Sequence, residues 1–322
     1  MVTVLLPTAR RATLLRTALE SIAEQTALAK IDRIIVSENG GDRASEEVCK
    51  KFARLPITYI FREPALTPMQ HGQTLYREYA QGDYTCILHD DDYWLPHHVE
   101  LGLEALEANP EASLYGASFL CNDGIRLFDG GSDVYAWFGA NFPAFTPTLW
   151  TLSQAEVLLA NIYNMVIHYS AMIARTSALT KAAAIFERGN PYDNDRELLH
   201  ALAEQGPVLF NKKFGVAVRV EGERDTKRFM VEEKNRRMSE TTSWMVESAG
   251  KSWHVIAAQF TQRLSRCPDK DRQIFLIREA VARPWVLPEI AKHLDRTQDK
   301  RFFVLYDEAR HKFAGIAPSR DR

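Results

Sequence analysis

The sequence predicts an α/β fold with a mostly parallel central sheet flanked by helices. Short apolar runs alternate with amphipathic segments through the first hundred residues, which is typical of consecutive βαβ units. The predicted strands cover residues 2–6, 34–36, 57–61 and 84–89. Sheets of this kind bind ligands beyond the carboxyl ends of their strands. Because Thr8, Glu38 and the Asp90–Asp92 triplet all follow strands directly, we expect them to border one site.

The helices and later strands follow from the same patterns. Leu15, Leu19 and Ile22 recur at helical spacing, and further helices are predicted over 45–52, 67–79 and from Pro96 onward. The stretch 112–169 is rich in Gly, Pro and aromatic residues and predicts irregular strands and loops around a pocket. One more strand is expected at 165–174, a helix at 195–204, and two closing strands at 208–210 and 216–220.

The character of the chain changes after about residue 221. A charged, glycine-containing loop is followed by helical periodicity, with Trp253, Ile256 and Phe260 on one face. We therefore expect two parts: a ligand-binding and catalytic domain over 1–225, and a helical region over 226–322. The second part would contact an acceptor substrate, a second copy of the chain or a membrane surface.

Composition describes an ordinary globular protein of 322 residues, 46% hydrophobic and 25% charged. The net charge of −2 gives no reason to expect nucleic-acid binding. The four cysteines show no metal or disulfide spacing and indicate reduced thiols in the cytoplasm. No segment resembles a signal peptide or approaches the apolar length of a membrane span. Contact with the inner membrane surface stays open.

The triplet Asp90, Asp91 and Asp92 is the most informative feature. Adjacent carboxylates repel one another and are tolerated where a cation can bridge them. Hard oxygen ligands of this kind suit Mg²⁺ or Mn²⁺, with a substrate phosphate completing the coordination shell. The alternative is a solvated acidic turn that favours the N-terminus of the next helix.

Four segments, taken in order, resemble a family 2 glycosyltransferase of the GT-A fold. They are LPTARR at 6–11, IVSENG at 35–40, AQGDY at 80–84 and LHDDDYWLP at 88–96. A looser match, YDNDREL at 192–198, is similar to the acidic pair that opens a helix late in that family's catalytic domain. The region after 226 carries no resemblance.

The resemblance implies transfer of a sugar from a nucleotide diphosphate donor to an acceptor hydroxyl, commonly with inversion. Residues around the first strand end, together with Glu38, would bind the nucleotide; they are Pro7, Thr8, Ala9 and Arg11. Asp90, with Asp91 or Asp92, would hold the metal against the diphosphate. The family usually has Asp where Glu38 stands. The longer side chain keeps the oxygens that accept hydrogen bonds, but the identity of the nucleobase does not follow from the resemblance.

An acceptor hydroxyl needs a base to remove its proton. Asp195 is the first candidate and Asp193 the second. Residues two apart at a helix start do not share a face, so only one of them would serve. The alternative is that Asp193 or Asn194 caps the helix while Asp195 favours its dipole.

These observations predict a metal-dependent, non-processive glycosyltransferase with a UDP- or dTDP-sugar donor and a glycan or lipid-linked glycan acceptor, acting in surface polysaccharide synthesis. Single-sugar addition is favoured because the Gln-x-x-Arg-Trp motif of processive relatives is absent from the sequence. One rival is a sugar-phosphate nucleotidyltransferase, although 7–11 has no glycine for a phosphate loop. The other rival is a non-catalytic nucleotide-sugar-binding subunit.

Overall fold

A computed structural model describes residues 1–41, 43–130, 148–154, 156–157, 167–185, 194–220, 241 and 244. In chain order the strands are β1 (Val2–Thr8), β2 (Ile31–Asn39), β3 (Ile57–Arg62), β4 (Tyr84–Ile87), β5 (Tyr93–Trp94), β6 (Leu114–Asn122), β7 (Leu127–Asp129), β8 (Leu149–Leu152), β9 (Met172–Arg175) and β10 (Val208–Arg219). The helices are α1 (Ala12–Ala23), α2 (Ala44–Lys51), α3 (Pro68–Tyr79), α4 (His98–Ala108), α5 (Thr176–Ile185) and α6 (Asn194–Ala203).

All ten strands belong to one mixed sheet. Its order is β3-β2-β1-β4-β9-β6-β10-β5, with β7 paired to β6 and β8 to β10. The first four strands in this order run parallel to one another. Strand β9 is antiparallel to both β4 and β6, and β6 is parallel to β10. The predicted fold class, a mostly parallel sheet flanked by helices, is confirmed.

The parallel half matches the sequence expectation closely. Leu5, Leu6 and Val36 have no exposed surface, because helices cover both faces of the sheet there and a continuous apolar run is what such strands require. Helix α1 buries Leu15 and Leu19, as its periodicity predicts. Helix α3 begins with a capping box in which Thr67 and Gln70 bond reciprocally.

The second half departs from prediction at its last strand. Residues 208–210 and 216–220 were expected to form two strands, but β10 is one continuous element. The pairing of β10 with β6 shifts register between Asn211 and Phe214 and again before Val216. The structure accommodates the polar and glycine residues of this stretch as β-bulges, so the strand continues through them.

The strand predicted at 165–174 is also corrected. Strand β9 covers only Met172–Arg175, and a 3₁₀ turn at Tyr169–Ala171 precedes it. The Nδ1 atom of His168 accepts a hydrogen bond from the Ser170 N–H at 3.3 Å and caps this turn. The region 112–169 contains a regular nine-residue strand, β6, where irregular strands were expected. Helix α5 was not predicted.

The proposed helical region at 226–322 lies outside the described residues, apart from Thr241 and Trp244, so its boundary stays a prediction. Within the part that the structure describes, no helix is long and apolar enough to cross a bilayer.

Candidate active site

Three neighbouring parallel strands end side by side and place Thr8, Glu38 and Asp90 along one edge of the sheet. Thr8 lies opposite Glu38 in the register of β1 and β2. The Thr8 hydroxyl donates a hydrogen bond to Asp90 Oδ2 at 2.8 Å, and both side chains are buried. Of the two neighbours of Thr8, Pro7 is half-buried and pairs with Ser37, whereas Ala9 is exposed. The carboxyl edge therefore carries polar side chains from three strands.

Arg11 bridges two members of the triplet. Its Nη1 donates to Asp90 Oδ1 at 3.3 Å and to Asp91 Oδ2 at 3.1 Å. The side chain of Arg11 is 31% exposed and that of Asp91 is 27% exposed. Asp91 is thus the most accessible of the three aspartates, and solvent partly screens its ion pair with Arg11.

Asp92 is the most enclosed aspartate, at 2% exposure. Its Oδ2 accepts a hydrogen bond from Ser170 Oγ at 2.5 Å, and its Oδ1 accepts one from the Arg219 N–H at 3.0 Å. Ser170 lies in the turn before β9, and Arg219 is the last residue of β10. Asp92 therefore ties the acidic triplet to the second half of the sheet.

Burial, with a smaller contribution from the charge of Asp91, dominates the electrostatics of Asp90 and Asp92. Burial raises the pKa of Asp90 to about 6, and the charge of Asp91 adds to the shift while Arg11 opposes it. Burial likewise raises the pKa of Asp92 to about 6, against the opposing effect of His89. A cation bound at this position would favour the ionised forms of these carboxyl groups.

One group of three side chains in the described ranges could hold a metal ion. The ligand atoms of His89, Asp91 and Asp92 all lie within 4.8 Å of one another. Two carboxylates and an imidazole suit Mn²⁺, and the carboxylates also suit Mg²⁺. The residues present therefore fit a divalent cation. Asp90 is outside this group, and its oxygens accept hydrogen bonds from Thr8 and Arg11, so its role as a ligand stays a prediction.

His89 is a candidate ligand that the sequence analysis did not select. Its side chain is 34% exposed, and its ring stacks on Tyr169 with 5.2 Å between centroids. Burial lowers the pKa of His89, but the charges of Asp92, Asp195 and the other two aspartates of the triplet together raise it above its ordinary value. The only signal in the sequence was its position between a strand and the triplet.

Asp195 lies in the first turn of α6 and is partly exposed. Its charge contributes to the raised pKa of His89 and, after the larger effect of burial, to that of Tyr76. The fold thus brings Asp195 within electrostatic range of His89, which precedes the triplet, from more than 100 positions away in the chain. Asp193, the second candidate base, lies outside the described residues.

Glu38 has a different environment, at 1% exposure. Its Oε1 accepts a hydrogen bond from the Arg10 N–H at 2.7 Å, and its Oε2 accepts one from the Ser45 hydroxyl. Arg10 follows β1, and Ser45 lies in the first turn of α2. Glu38 therefore holds the segment after β1 and the first turn of α2 at the end of β2.

A cavity of about 720 Å³ opens beside this buried carboxylate. Its lining includes Arg10, Gly41, Ser45, Phe61 and Pro64. A flat apolar wall with a cationic side chain at its edge suits a planar heterocycle with carbonyl oxygens.

Ser170 and Ser45 were not identified as site residues from the sequence. Ser170 is 78 positions from the aspartate that it contacts. Ser45 is closer, seven positions from Glu38, but it sits in a helix whose start gave no sign of that contact. Pairings of this kind depend on how elements pack, so no local pattern predicts them.

Taken together, the parallel sheet with an acidic triplet after its fourth strand defines the class of GT-A glycosyltransferases. The chain belongs to glycosyl transferase family 2, since the sequence profile of that family matches residues 3–174. A comparison with curated proteins finds no match.

Solved structures of TarS from S. aureus share the fold. The complex of TarS 1–349 with UDP-GlcNAc has a TM-score of 0.62 at 13% identity, over 99% of this chain and 93% of that one. The complex with UDP has a TM-score of 0.62 at 12% identity, over 97% and 91%. A longer TarS structure has a TM-score of 0.55 at 14% identity, over 97% of this chain and 55% of that one. At such identities the likeness shows the fold alone.

Proposed function

We propose that the protein is a metal-dependent, inverting glycosyltransferase. It moves a single sugar from a UDP- or dTDP-linked donor to a hydroxyl of a glycan or lipid-linked glycan, in the synthesis of a surface polysaccharide. The observation that carries the proposal is the convergence of Arg11, the Asp90–Asp92 triplet and the charge of Asp195 at one edge of the sheet. The UDP and UDP-GlcNAc bound to TarS support a nucleotide donor of this kind.

The donor nucleotide lies along the ends of β1 and β2 in this proposal. Pro7, Thr8 and Ala9 border it, and the cavity beside Glu38 takes the base and ribose. Arg11 is partly exposed and already bound to two carboxylates, so its guanidinium can also donate to a phosphate oxygen.

His89, Asp91 and Asp92, with Asp90 beside them, would hold Mg²⁺ or Mn²⁺. The bound cation would stabilise negative charge that develops on the departing nucleoside diphosphate. Ser170 and the Arg219 N–H keep Asp92 oriented, because each donates a hydrogen bond to one of its oxygens.

Asp195 acts as the general base. Its carboxylate accepts the proton of the acceptor hydroxyl while the hydroxyl oxygen bonds to the anomeric carbon and the glycosyl–phosphate bond breaks. Attack from the face opposite the leaving nucleotide gives inversion. Partial exposure of Asp195 and its electrostatic effect on His89 support this role, since the base must reach both solvent and the donor site.

Thermal unfolding with ligands tests the proposal. We expect UDP or dTDP to raise the melting temperature more with Mn²⁺ than without it, because a ligand at about 100 times its Kd adds about 2.7 kcal/mol. Release of UDP from a UDP-sugar would then establish transfer or hydrolysis. Release of pyrophosphate from a nucleoside triphosphate would instead establish a nucleotidyltransferase, and binding without any turnover a binding subunit.

The cell location and assembly are further proposals. Reduced cysteines favour the cytoplasm, and Cys49 and Cys86 are buried free thiols in the structure. Contact with the inner membrane surface and self-association are assigned to 226–322.

A further inference from the structure

The carboxylate of Glu38 is closed off from the cavity next to it. The side chain is 1% exposed, and each oxygen accepts a hydrogen bond from the protein itself. A Cβ at Gly41 would lie 3.0 Å from Glu38 Oε1, so the backbone of the β2–α2 loop packs directly against the carboxylate. A ligand in the cavity meets this loop before it can reach Glu38.

Arg10 is the charged residue that the same contacts hold in place. Its backbone has φ +59, in the left-handed region that non-glycine residues rarely adopt. The bond from the Arg10 N–H to Glu38 Oε1 stabilises that conformation. A Cβ at Gly41 would also lie 3.1 Å from Arg10 Cγ, which is a tight contact, and the φ of Gly41, +116, is one that other residues rarely adopt. Arg10 is exposed and lines the cavity.

We propose that Glu38 is a positioning residue, and that Arg10, which it holds, is a cationic group of the cavity lining that the nucleoside half of the donor contacts. The proposal rests on the donor role of this edge and changes which residue contacts the ligand. A guanidinium only donates hydrogen bonds, and a pyrimidine nucleoside presents carbonyl and hydroxyl oxygens that accept them. Phe61 and Pro64 supply the apolar walls.

The competing arrangement has Glu38 itself accept a hydrogen bond from the base. It would require bringing the base to a carboxylate that is only 1% exposed, or exposing that buried carboxylate, which is costly for a charged group. The two arrangements predict different results for the same variants.

The first test uses a matched pair of arginines. Arg43 also has a left-handed backbone, at φ +62, but its guanidinium stacks over Phe61 at 4.2 Å and pairs with Glu46 at 3.7 Å. Glycine adopts this conformation freely, so R10G and R43G both fold and each removes one cation. With Mn²⁺ present, we expect R10G to weaken UDP binding about tenfold and R43G by less than about twofold, by calorimetry. Equal effects, or none from R10G, would overturn the proposal.

Binding of uridine, which has no phosphate, tests whether Arg10 contacts the nucleoside or the diphosphate of the donor. R10G is expected to cost about the same factor for uridine as for UDP, because the lost contact is with the nucleoside. A cost confined to UDP would assign Arg10 to the phosphates and overturn the proposal.

Glu38 variants test the positioning role. In E38Q the amide oxygen can still accept from Arg10 and the amide nitrogen can donate to the Ser45 oxygen, whereas E38A loses both bonds. We expect E38A to weaken UDP binding about tenfold and E38Q to recover most of that loss. An E38Q variant as weak as E38A would show that the negative charge is required for binding beyond its two hydrogen bonds, and would overturn the positioning role. If the wild-type protein binds neither UDP nor dTDP, the proposed function fails first, a result distinct from any of these patterns.

Discussion

The carboxylates of Glu38 and Asp92, near the ends of β2 and β4, are held in the same way but have different charged neighbours. Glu38 and Asp92 are equally buried, and each receives one serine hydroxyl and one backbone N–H. Asp92, however, stands beside Asp91, and burial together with that neighbouring charge raises its pKa to about 6. Two hydrogen bonds therefore do not by themselves compensate a buried carboxylate, and a cation bound beside Asp92 would favour its ionised form.

Along this sheet edge, the surroundings of Glu38 have a structural role, whereas the surroundings of the triplet suit ligand chemistry. The Glu38 end is closed by its own loops and shapes a cavity. The triplet end keeps Asp91 partly exposed and groups it with His89. Variants at the triplet end should therefore affect metal binding and turnover, whereas variants around Glu38 should affect the fit of the nucleoside.

The largest effect is expected from Asp195→Asn. An amide cannot take the proton of the acceptor hydroxyl, so transfer should fall by about 10²–10⁴-fold while UDP affinity stays near that of the wild type. Initial rates and calorimetry measure the two quantities. E107Q, at an exposed position of α4, is the control and should keep full activity. Wild-type turnover in D195N would remove Asp195 from the base role.

Asp91→Asn should abolish the metal-dependent part of nucleotide stabilisation. The most accessible carboxylate of the group would be lost, so Mn²⁺ should no longer add to the rise in melting temperature given by UDP. The rise with UDP alone is the internal control and should persist. An undiminished Mn²⁺ effect in this variant would show that Asp91 is not a ligand.

As the pH falls, titratable groups near Glu38 and in the triplet should change the stability of the fold in opposite directions. Burial lowers the pKa of His71, which bonds to Ser37 beside Glu38, to about 4. Its folded-state pKa is below the unfolded value, so it stabilises the fold fully above about pH 6.5 and this contribution is lost as the pH falls towards 4. The raised pKa values of Asp90 and Asp92 act in the other direction, adding stability as the pH falls below about 6.

His71→Gln isolates the first response, because glutamine can keep the bond to Ser37 and does not titrate. Between pH 6.5 and 4 the wild type should lose about 3 kcal/mol more unfolding free energy than H71Q. Urea unfolding across this range measures the difference. His98, whose pKa burial lowers to about 3, is present in both proteins and cancels. Parallel pH curves for the two proteins would contradict the assignment.

The smallest effect is expected from Ser170→Ala. Removing the hydroxyl leaves Asp92 with one donor fewer and should cost about 1–3 kcal/mol at pH 7.5. The cost should shrink at pH 5, because Asp92 can then take up a proton. Ser118 is equally buried, but its hydroxyl has no partner in the described part of the structure, so S118A is the matched control and should cost less. Urea unfolding at both pH values compares them, and equal costs for S170A and S118A would count against the contact.

The sequence predicted the parallel half of the sheet because its strands are short apolar runs separated by amphipathic helices. It did not predict that β10 is continuous, since the bulges after Asn211 are stabilised by pairing with β6 rather than by any local preference. It did not predict the turn at Tyr169–Ala171 either. The same turn supplies Ser170 to the site.

The order of apolar runs and the acidic triplet determined the fold class, the family resemblance and the edge of the sheet where the site lies, because these depend on neighbours in the chain. Only the tertiary structure decided that Glu38 is enclosed while Asp91 remains accessible, and that His89 groups with Asp91 and Asp92. The partners responsible for orienting Asp92 come from 78 and 127 positions away. Burial and hydrogen bonding of a carboxylate depend on such long-range packing, which no local pattern encodes.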